Sequence, residues 1–231
     1  MRGVNRTDVK RAAGVLELMD GHVAAAELEG SLVDLERANR FLGGSAPILR
    51  EIRRVDGRRV LDIGSGSADI PLAIVRDGAR HGRDVRVTCL DRSESMIAIA
   101  RRRTGNDERL TFVRGEGDRL PFDSGTFDVT TCALALHHFE PTSARLLLAE
   151  MRRVAGRTPI VCDLRRSRVA HAGVLLWSTV CTRNRLTRHD GPLSVRRAYT
   201  PDEACELAHD AGWSNPRVRK DAFFRMTLTD G

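Results

Sequence analysis

Ten residues, Val60-Leu61-Asp62-Ile63-Gly64-Ser65-Gly66-Ser67-Ala68-Asp69, constrain this chain more than any other stretch. They open with an apolar run of the kind that buried parallel strands carry. A Gly-x-Gly bend follows, and then an amphipathic helical pattern from Ala68 to Arg80. Strand, glycine bend and helix, in that order, present backbone N–H groups at the carboxyl end of a parallel sheet, where α/β proteins hold ligands. Gly64 and Gly66 allow the bend and let backbone approach a ligand with no Cβ in between. The bend is not a dinucleotide fingerprint, because a G-x-G-x-x-G loop needs glycine at position 69 and this chain has Asp69. A carboxylate there disfavours a pyrophosphate and suits a cationic ligand.

The chain beyond repeats the unit. Apolar runs predict strands over 59–63, 85–90, 110–114, 127–132 and 158–162, with helices over 68–80, 94–103 and 142–154. Ser93-Glu94 and Pro141-Thr142 supply helix-start chemistry. Strands alternating with helices imply a parallel sheet with right-handed crossovers. The second strand ends in Asp91, 27 residues beyond Gly64, near the spacing at which a strand-tip acid bonds ribose hydroxyls.

Both ends of the chain depart from this rhythm. Val15, Leu16 and Met19 stand at helical spacing, and Leu28, Leu32, Leu35 and Leu42 make a stripe that predicts a helix from Ala24 to Leu42. Gly43-Gly44 ends that helix, and Pro47 starts a short one to Arg54. After the fifth strand, 169–181 reads as an apolar helix, 183–197 as a polar segment turning at Asp190-Gly191-Pro192, and Thr200-Pro201-Asp202-Glu203 as the cap of a helix to Ala211. Segments 214–220 and 222–228 have no helix between them and should form an antiparallel hairpin at the sheet edge.

Composition narrows the classes. The chain has 231 residues, 41 % of them apolar and 4 % aromatic, which suits one domain with an aliphatic core. No apolar run reaches membrane-span length and no signal-peptide pattern opens the chain, so the cytoplasm is the expected compartment. Cys89, Cys132, Cys162, Cys181 and Cys205 include no C-x-x-C pair, which argues against a disulfide framework or zinc site, and no metal is expected. The net charge of +7 comes almost wholly from dispersed arginines, often paired with acids at helical spacing as in Glu36/Arg40 and Glu150/Arg153. No basic patch interleaved with aromatics appears, which argues against nucleic acid as partner.

Together with Phe112-Val113-Arg114-Gly115-Glu116-Gly117, Leu120-Pro121-Phe122 and Phe127-Asp128-Val129 running into Ala133-Leu134-Ala135-Leu136-His137-His138-Phe139, these motifs give an ordered set. The set resembles the class I S-adenosylmethionine-dependent methyltransferases, most of all the small-molecule enzymes of the ubiquinone/menaquinone-biosynthesis type. The resemblance implies an α/β fold: a doubly wound, Rossmann-like, seven-stranded, mostly parallel sheet with an antiparallel C-terminal edge hairpin. Residues 1–57 would form a helical N-terminal cap over the substrate cavity, and 58–231 the catalytic domain with a lid insertion at 165–198. A monomer or homodimer is expected.

The resemblance also implies roles. Gly64, Ser65 and Gly66 would bring backbone to the methionine and ribose portions of S-adenosylmethionine. Asp62 or Asp69 would hold its ammonium group, Asp91 would accept the ribose hydroxyls, and Arg92 would lie against the adenine. Glu116, where the family usually has aspartate, or its rival Asp118, would accept from the adenine amino group. Gly117 would offer its N–H to a ring nitrogen, and Ala133 and Leu134 would line the methionine end. Asn39 and Arg40 are further candidates to face the cofactor.

Methyl transfer is an in-line displacement from a good leaving group, so positioning provides much of the acceleration. An oxygen nucleophile must also lose a proton. His137 and His138 follow the fourth strand and Asp163 the fifth, so a neighbouring Asp–His pair would flank the transferring methyl. His189, Asp190 and Arg197 in the lid are alternatives, whereas His22, His81, His171 and His209 read as structural or exposed. The expected acceptor is a small hydroxylated molecule, aromatic or polyketide-like, of secondary metabolism, with O-methylation preferred. C-methylation of a quinol-like ring is the nearest rival. RNA or protein methylation and a non-catalytic cofactor-binding role are the alternatives from other classes.

Overall fold

A computed structural model of the chain describes residues 9–231 apart from 22, 24, 42, 43 and 106, and the side chains of 20, 25, 26, 40 and 41 are likewise outside the description. The expectations for His22, Leu42, Gly43 and the Arg40 side chain therefore fall outside the described residues.

Among the described residues, seven strands form one sheet: β1 (Arg59–Ile63), β2 (Arg86–Asp91), β3 (Leu110–Arg114), β4 (Phe127–Ala133), β5 (Ala155–Leu164), β6 (Pro216–Lys220) and β7 (Arg225–Asp230). Their order is β3-β2-β1-β4-β5-β7-β6, parallel through β5 and antiparallel at β7 and β6. Strand order reverses direction between β1 and β4, which creates the crevice where such sheets bind ligands. The edge hairpin forms as the sequence implies, with Lys220 opposite Met226 beside its turn.

Helices cover both faces. On one side α2 (Ala46–Arg54), α3 (Asp69–Arg80) and α4 (Glu94–Thr104) pack Ile48, Ile52, Ile74 and Ala100 against Val60, Val87, Val129 and Ile160. On the other, α5 (Pro141–Val154) and α8 (Pro201–Asp210) pack Leu147, Leu148, Met151, Ala204 and Ala208 against Leu61, Ile63, Leu90 and Leu228. Alternate residues of β1 thus enter opposite cores, which is why its sequence is apolar apart from exposed Arg59 at its start and Asp62. Thr200 and Glu203 close a reciprocal capping box at the start of α8, as the Thr-Pro-Asp-Glu pattern implies.

Three expectations need correction. The turn at Asp190-Gly191-Pro192 does not occur, because α7 (Arg185–Arg197) runs through it. Asn184 caps α7 by accepting from Leu186 N and Thr187 N, and buried Leu186, Leu193 and Val195 anchor it, so burial overrides the local turn preference. In α1 (Ala25–Phe41), Leu28 and Leu32 meet Ile99 of α4, whereas Leu35 lies exposed. The apolar spacing of residues 15–19 builds an apolar contact only through Met19, which packs beside Leu28, Leu32 and Ile99: Val15 is 46 % and Leu16 73 % exposed, while Glu17 between them and the following turn is only 4 % exposed.

The two faces of α5 give a direct test. Leu147→Ala empties a fully buried site and should cost about 2–5 kcal/mol in urea unfolding, whereas Leu146→Ala, one position away on the exposed face, should stay within about 0.5 kcal/mol.

Candidate active site

The glycine bend sits at the tip of β1 as a hydrogen-bonded loop. Gly64 N and Ser65 N both donate to Leu90 O, at 2.8 and 3.2 Å, so the bend folds over the end of β2. Gly64 has φ +71°, and a Cβ there would lie 2.8 Å from Ala135 Cβ in the loop after β4. Only glycine allows this approach of the β1 and β4 loops. Gly66 also has positive φ, but a Cβ there would meet nothing within 4 Å, so its backbone faces open space. Ala68 and Leu134, at φ +61° and +50°, are non-glycine residues held left-handed on either side of this crevice. Such strain needs surrounding structure to hold it.

Asp91 closes the bend. One carboxylate oxygen accepts from Gly66 N at 2.9 Å and the other from Ser93 N at 2.9 Å. Arg92 and Glu116 are exposed, and Asp118 is half-buried. Gly117 is buried, and a Cβ on it would press within 3.0 Å of Ile63 Cγ2 and 3.1 Å of Leu147 Cδ1. Asp69 accepts from Asn39 Nδ2 at 2.8 Å, and Asn39 Oδ1 in turn accepts from Arg225 at 2.8 Å, so α1 is tied to the glycine bend and to β7.

Asp62 is buried inside the sheet, its carboxyl oxygen 2.6 Å from Thr131 Oγ1. Burial pushes its pKa up to about 7, against the hydrogen bonds from Thr131 and Ser65, and the charges of Asp69 and Asp91 push in the same upward direction. Three acids therefore share one field at the strand tips, a donor set matched to a positively charged ligand.

The second cluster lies at the tips of β4 and β5. His137 Nδ1 is 2.7 Å from Asp163 Oδ1, and His137 N donates to Asp163 Oδ2 at 3.0 Å. Leu164 N adds a third bond to that carboxylate at 2.6 Å. The imidazole Nε2 of His137 lies 3.7 Å from Glu17 Oε1, and His138 Nε2 is 3.8 Å from Glu17 Oε2. Burial pulls the His137 pKa down, but the charge and hydrogen bond of Asp163 and the charge of Glu17 raise it overall, with Arg197 opposing. Burial pushes Asp163 up, yet His137 and the backbone N–H groups hold it below the usual carboxylate range. His138 stacks on His137 with ring centroids 4.3 Å apart, and its side chain keeps partial exposure.

Glu17, absent from the sequence-derived candidates, is held by Ser194 Oγ at 2.7 Å. Its neighbours Leu18 N and Met19 N donate to Asp190, at 2.8 and 3.0 Å. Arg197 donates to the carbonyls of His137, His138 and Val15. Asp190 and Arg197 therefore fasten the N-terminal segment over the histidines, while His189 is exposed and bonds to Asp190. Glu17, His137 and His138 offer donor atoms within 4.8 Å of one another. No signal at residue 17 alone marks it, since its partners lie more than a hundred residues away.

A glycine bend at β1, an acid at the tip of β2 and a cluster of carboxyl groups thus meet at the topological switch of the sheet, where α/β folds hold ligands. Residues 60–157 match the family model described as a methyltransferase domain. The chain is 28 % identical over 165 residues, 68 % of its length and 61 % of the relative's, to the demethylmenaquinone methyltransferase of Clavibacter sepedonicus. It is 33 % identical over 97 residues, 41 % of its length and 36 % of the relative's, to the ubiquinone/menaquinone biosynthesis C-methyltransferase UbiE of Rhizobium johnstonii. It therefore spans less than two thirds of these relatives' length. Among solved structures, a Nostoc punctiforme protein whose name proposes O-methyltransferase activity superposes with a TM-score of 0.66 at 15 % identity, covering 95 % of this chain and 64 % of that one. Over residues 60–157 this chain is therefore similar to methyltransferase domains, on a fold shared with solved methyltransferase structures.

Asp62 makes stability depend on pH. Between the ordinary carboxylate range and about 7, folded Asp62 keeps a proton that the unfolded chain has released, so its contribution falls as pH rises through that window. Relative to Asp62→Asn, the native chain should lose roughly 1–3 kcal/mol between about pH 5 and pH 7 in urea unfolding.

Proposed function

We propose that this chain transfers a methyl group from S-adenosylmethionine to a hydroxyl of a small aromatic or polyketide-like acceptor. The observation that carries the reading is the His137–Asp163 pair, joined at 2.7 Å across the tips of β4 and β5 beside the glycine-lined crevice. Bound S-adenosylmethionine supplies an electrophilic methyl on positively charged sulfur. Gly64, Ser65 and Gly66 line its methionine and ribose portions, and Asp91 accepts the ribose hydroxyls with lone pairs left over from its two backbone bonds. Arg92, Glu116 or Asp118, and Gly117 surround the adenine, while Ala133 and Leu134 flank the methionine end. An ammonium near Asp62 or Asp69 would return Asp62 to its charged form.

In the acceptor step a carbon–oxygen bond forms as the sulfur–carbon bond breaks, and the acceptor's proton passes to a base. His138, partly exposed, is the base that an acceptor reaches. His137 stacks behind it and Asp163 fixes the His137 ring, so these two position His138. Residues 1–57 act as a cap and 165–198 as a lid. The segment bearing Glu17 must shift for the acceptor to reach the histidines, because Glu17 stands against both rings.

C-methylation of a quinol-like ring is the second reading, favoured by the relative named as a C-methyltransferase. Product NMR separates the two, since O-methyl and C-methyl protons differ plainly in shift.

S-adenosylhomocysteine should bind the purified chain, and failure to bind would remove the proposal. With a phenol that turns over, His138→Ala should lower kcat by about 10²–10⁴-fold while leaving cofactor affinity within a few-fold. Asp163→Asn should lower kcat and shift the pH profile, which a merely structural loss would not do.

A further inference from the structure

We propose that the exposed face of α6 (Arg168–Cys181), together with Phe223, docks onto an anionic phospholipid surface. The helix has two unlike faces. Ala170 and Ser178 are buried, and a Cβ on Gly191 of α7 would come within 3.3 Å of Val174, so α7 packs closely along that side. On the other side Val169 is 69 %, Leu175 47 %, Leu176 67 % and Val180 73 % exposed. Val169, Leu176 and Val180 stand seven and four residues apart, one stripe along the helix. Isolated apolar side chains on a surface are ordinary, but a stripe of them on one helix marks an interaction site.

The hairpin turn between β6 and β7 extends the stripe. A Cβ on Gly173 would lie 2.7 Å from the Phe224 ring, so that glycine seats the turn against α6. Arg165 N donates to Phe224 O at 2.8 Å and fixes the same junction. Phe223, next along the chain, is 53 % exposed, and both phenylalanines are held at positive φ. Leu164 pairs with Arg225, so this surface lies at the strand-tip end of the sheet that carries the crevice.

Charge selects the occupant. Between Asp163 and Asp190 the chain has six arginines and no acid. Arg168 lies at the start of α6, while Arg183 follows its end, and both are exposed. Arg188 is exposed too and donates to Thr179 O and Thr182 O, which holds it at the helix end. Arg166 is buried against Glu203, and Arg185 pairs with Glu27. Asp34 of α1 accepts from the Thr182 and Thr187 hydroxyls. An apolar helix face flanked by arginines is the pattern of an interfacial helix, its side chains in the acyl boundary and its cations among acidic headgroups. A second copy docked about a twofold axis would instead bring like arginines toward one another. The inference goes beyond the methyl-transfer reading, though it accords with an apolar acceptor taken from a bilayer.

Co-sedimentation of the full chain with phosphatidylcholine vesicles, with and without phosphatidylglycerol, tests it. Vesicles with phosphatidylglycerol should bind about tenfold or more tightly than neutral ones, with the difference shrinking at high salt. Leu176→Ser with Val180→Ser should weaken that binding about tenfold while thermal unfolding and S-adenosylhomocysteine affinity are kept. Should that variant fail to fold, Arg168→Gln with Arg183→Gln decides, and it should abolish most of the preference for acidic lipid. Equal binding to both vesicles, or binding indifferent to these substitutions, overturns the proposal. So does a dimer in sedimentation equilibrium that Leu176→Ser with Val180→Ser dissolves while no vesicle binding occurs. The vesicle readout needs neither cofactor nor acceptor, so its failure is distinct from failure of the methyl-transfer reading.

Discussion

The buried contact between Asp163 and His137 organises the whole ligand-facing end of this protein. A carboxylate placed inside a sheet is costly unless it is paired and hydrogen-bonded. Asp163 meets that requirement with the His137 ring, His137 N and Leu164 N. The short 3-10 turn Leu136–His138 is thereby pinned across β4 and β5. Arg197 then binds the outward carbonyls of the same turn, and Glu17 stands against its two rings. Asp163, Glu17, Arg197 and two imidazoles share this region, held together by contacts between distant parts of the chain. The N-terminal segment, the β4 tip and α7 are consequently tied to one another by one polar network.

The neighbouring crevice uses a different device. Its walls are backbone, brought close by Gly64 against Ala135 and held by the Asp91 carboxylate on Gly66 N. Its charge is concentrated in Asp62, Asp69 and Asp91. Burial keeps Asp62 on the edge of ionisation near neutrality, so the field at this end of the sheet responds to whatever charge enters it. A rigid bend and a responsive acid together suit a ligand that is both bulky and cationic.

Much of this was legible in order. The strands and helices from 59 to 164 follow from apolar runs, glycine bends and capping residues, all signals contained within a dozen neighbouring residues. Asp91 and the His137–Asp163 pair were legible as strand-tip residues because parallel strands bring their carboxyl ends to one edge. Glu17 was not. Its local pattern ranks it as the polar member of Val15-Leu16-Glu17, yet burial is inverted there because Ser194 and the two histidines draw the carboxylate inward. Pro192 misled in the same way, since a turn-forming tripeptide lies within a helix whose Leu186, Leu193 and Val195 are buried.

By itself, the sequence determined the alternating α/β plan, the glycine bend and which acids stand at strand tips, because those depend on local periodicity and on the fixed geometry of parallel strands. Only the tertiary structure decided which carboxylate meets which histidine, which face of α6 remains uncovered and how the N-terminal segment closes over the site. Those outcomes depend on contacts between residues far apart in the chain, where the cost of burying charge and the gain from burying apolar area are set by partners that no local pattern encodes.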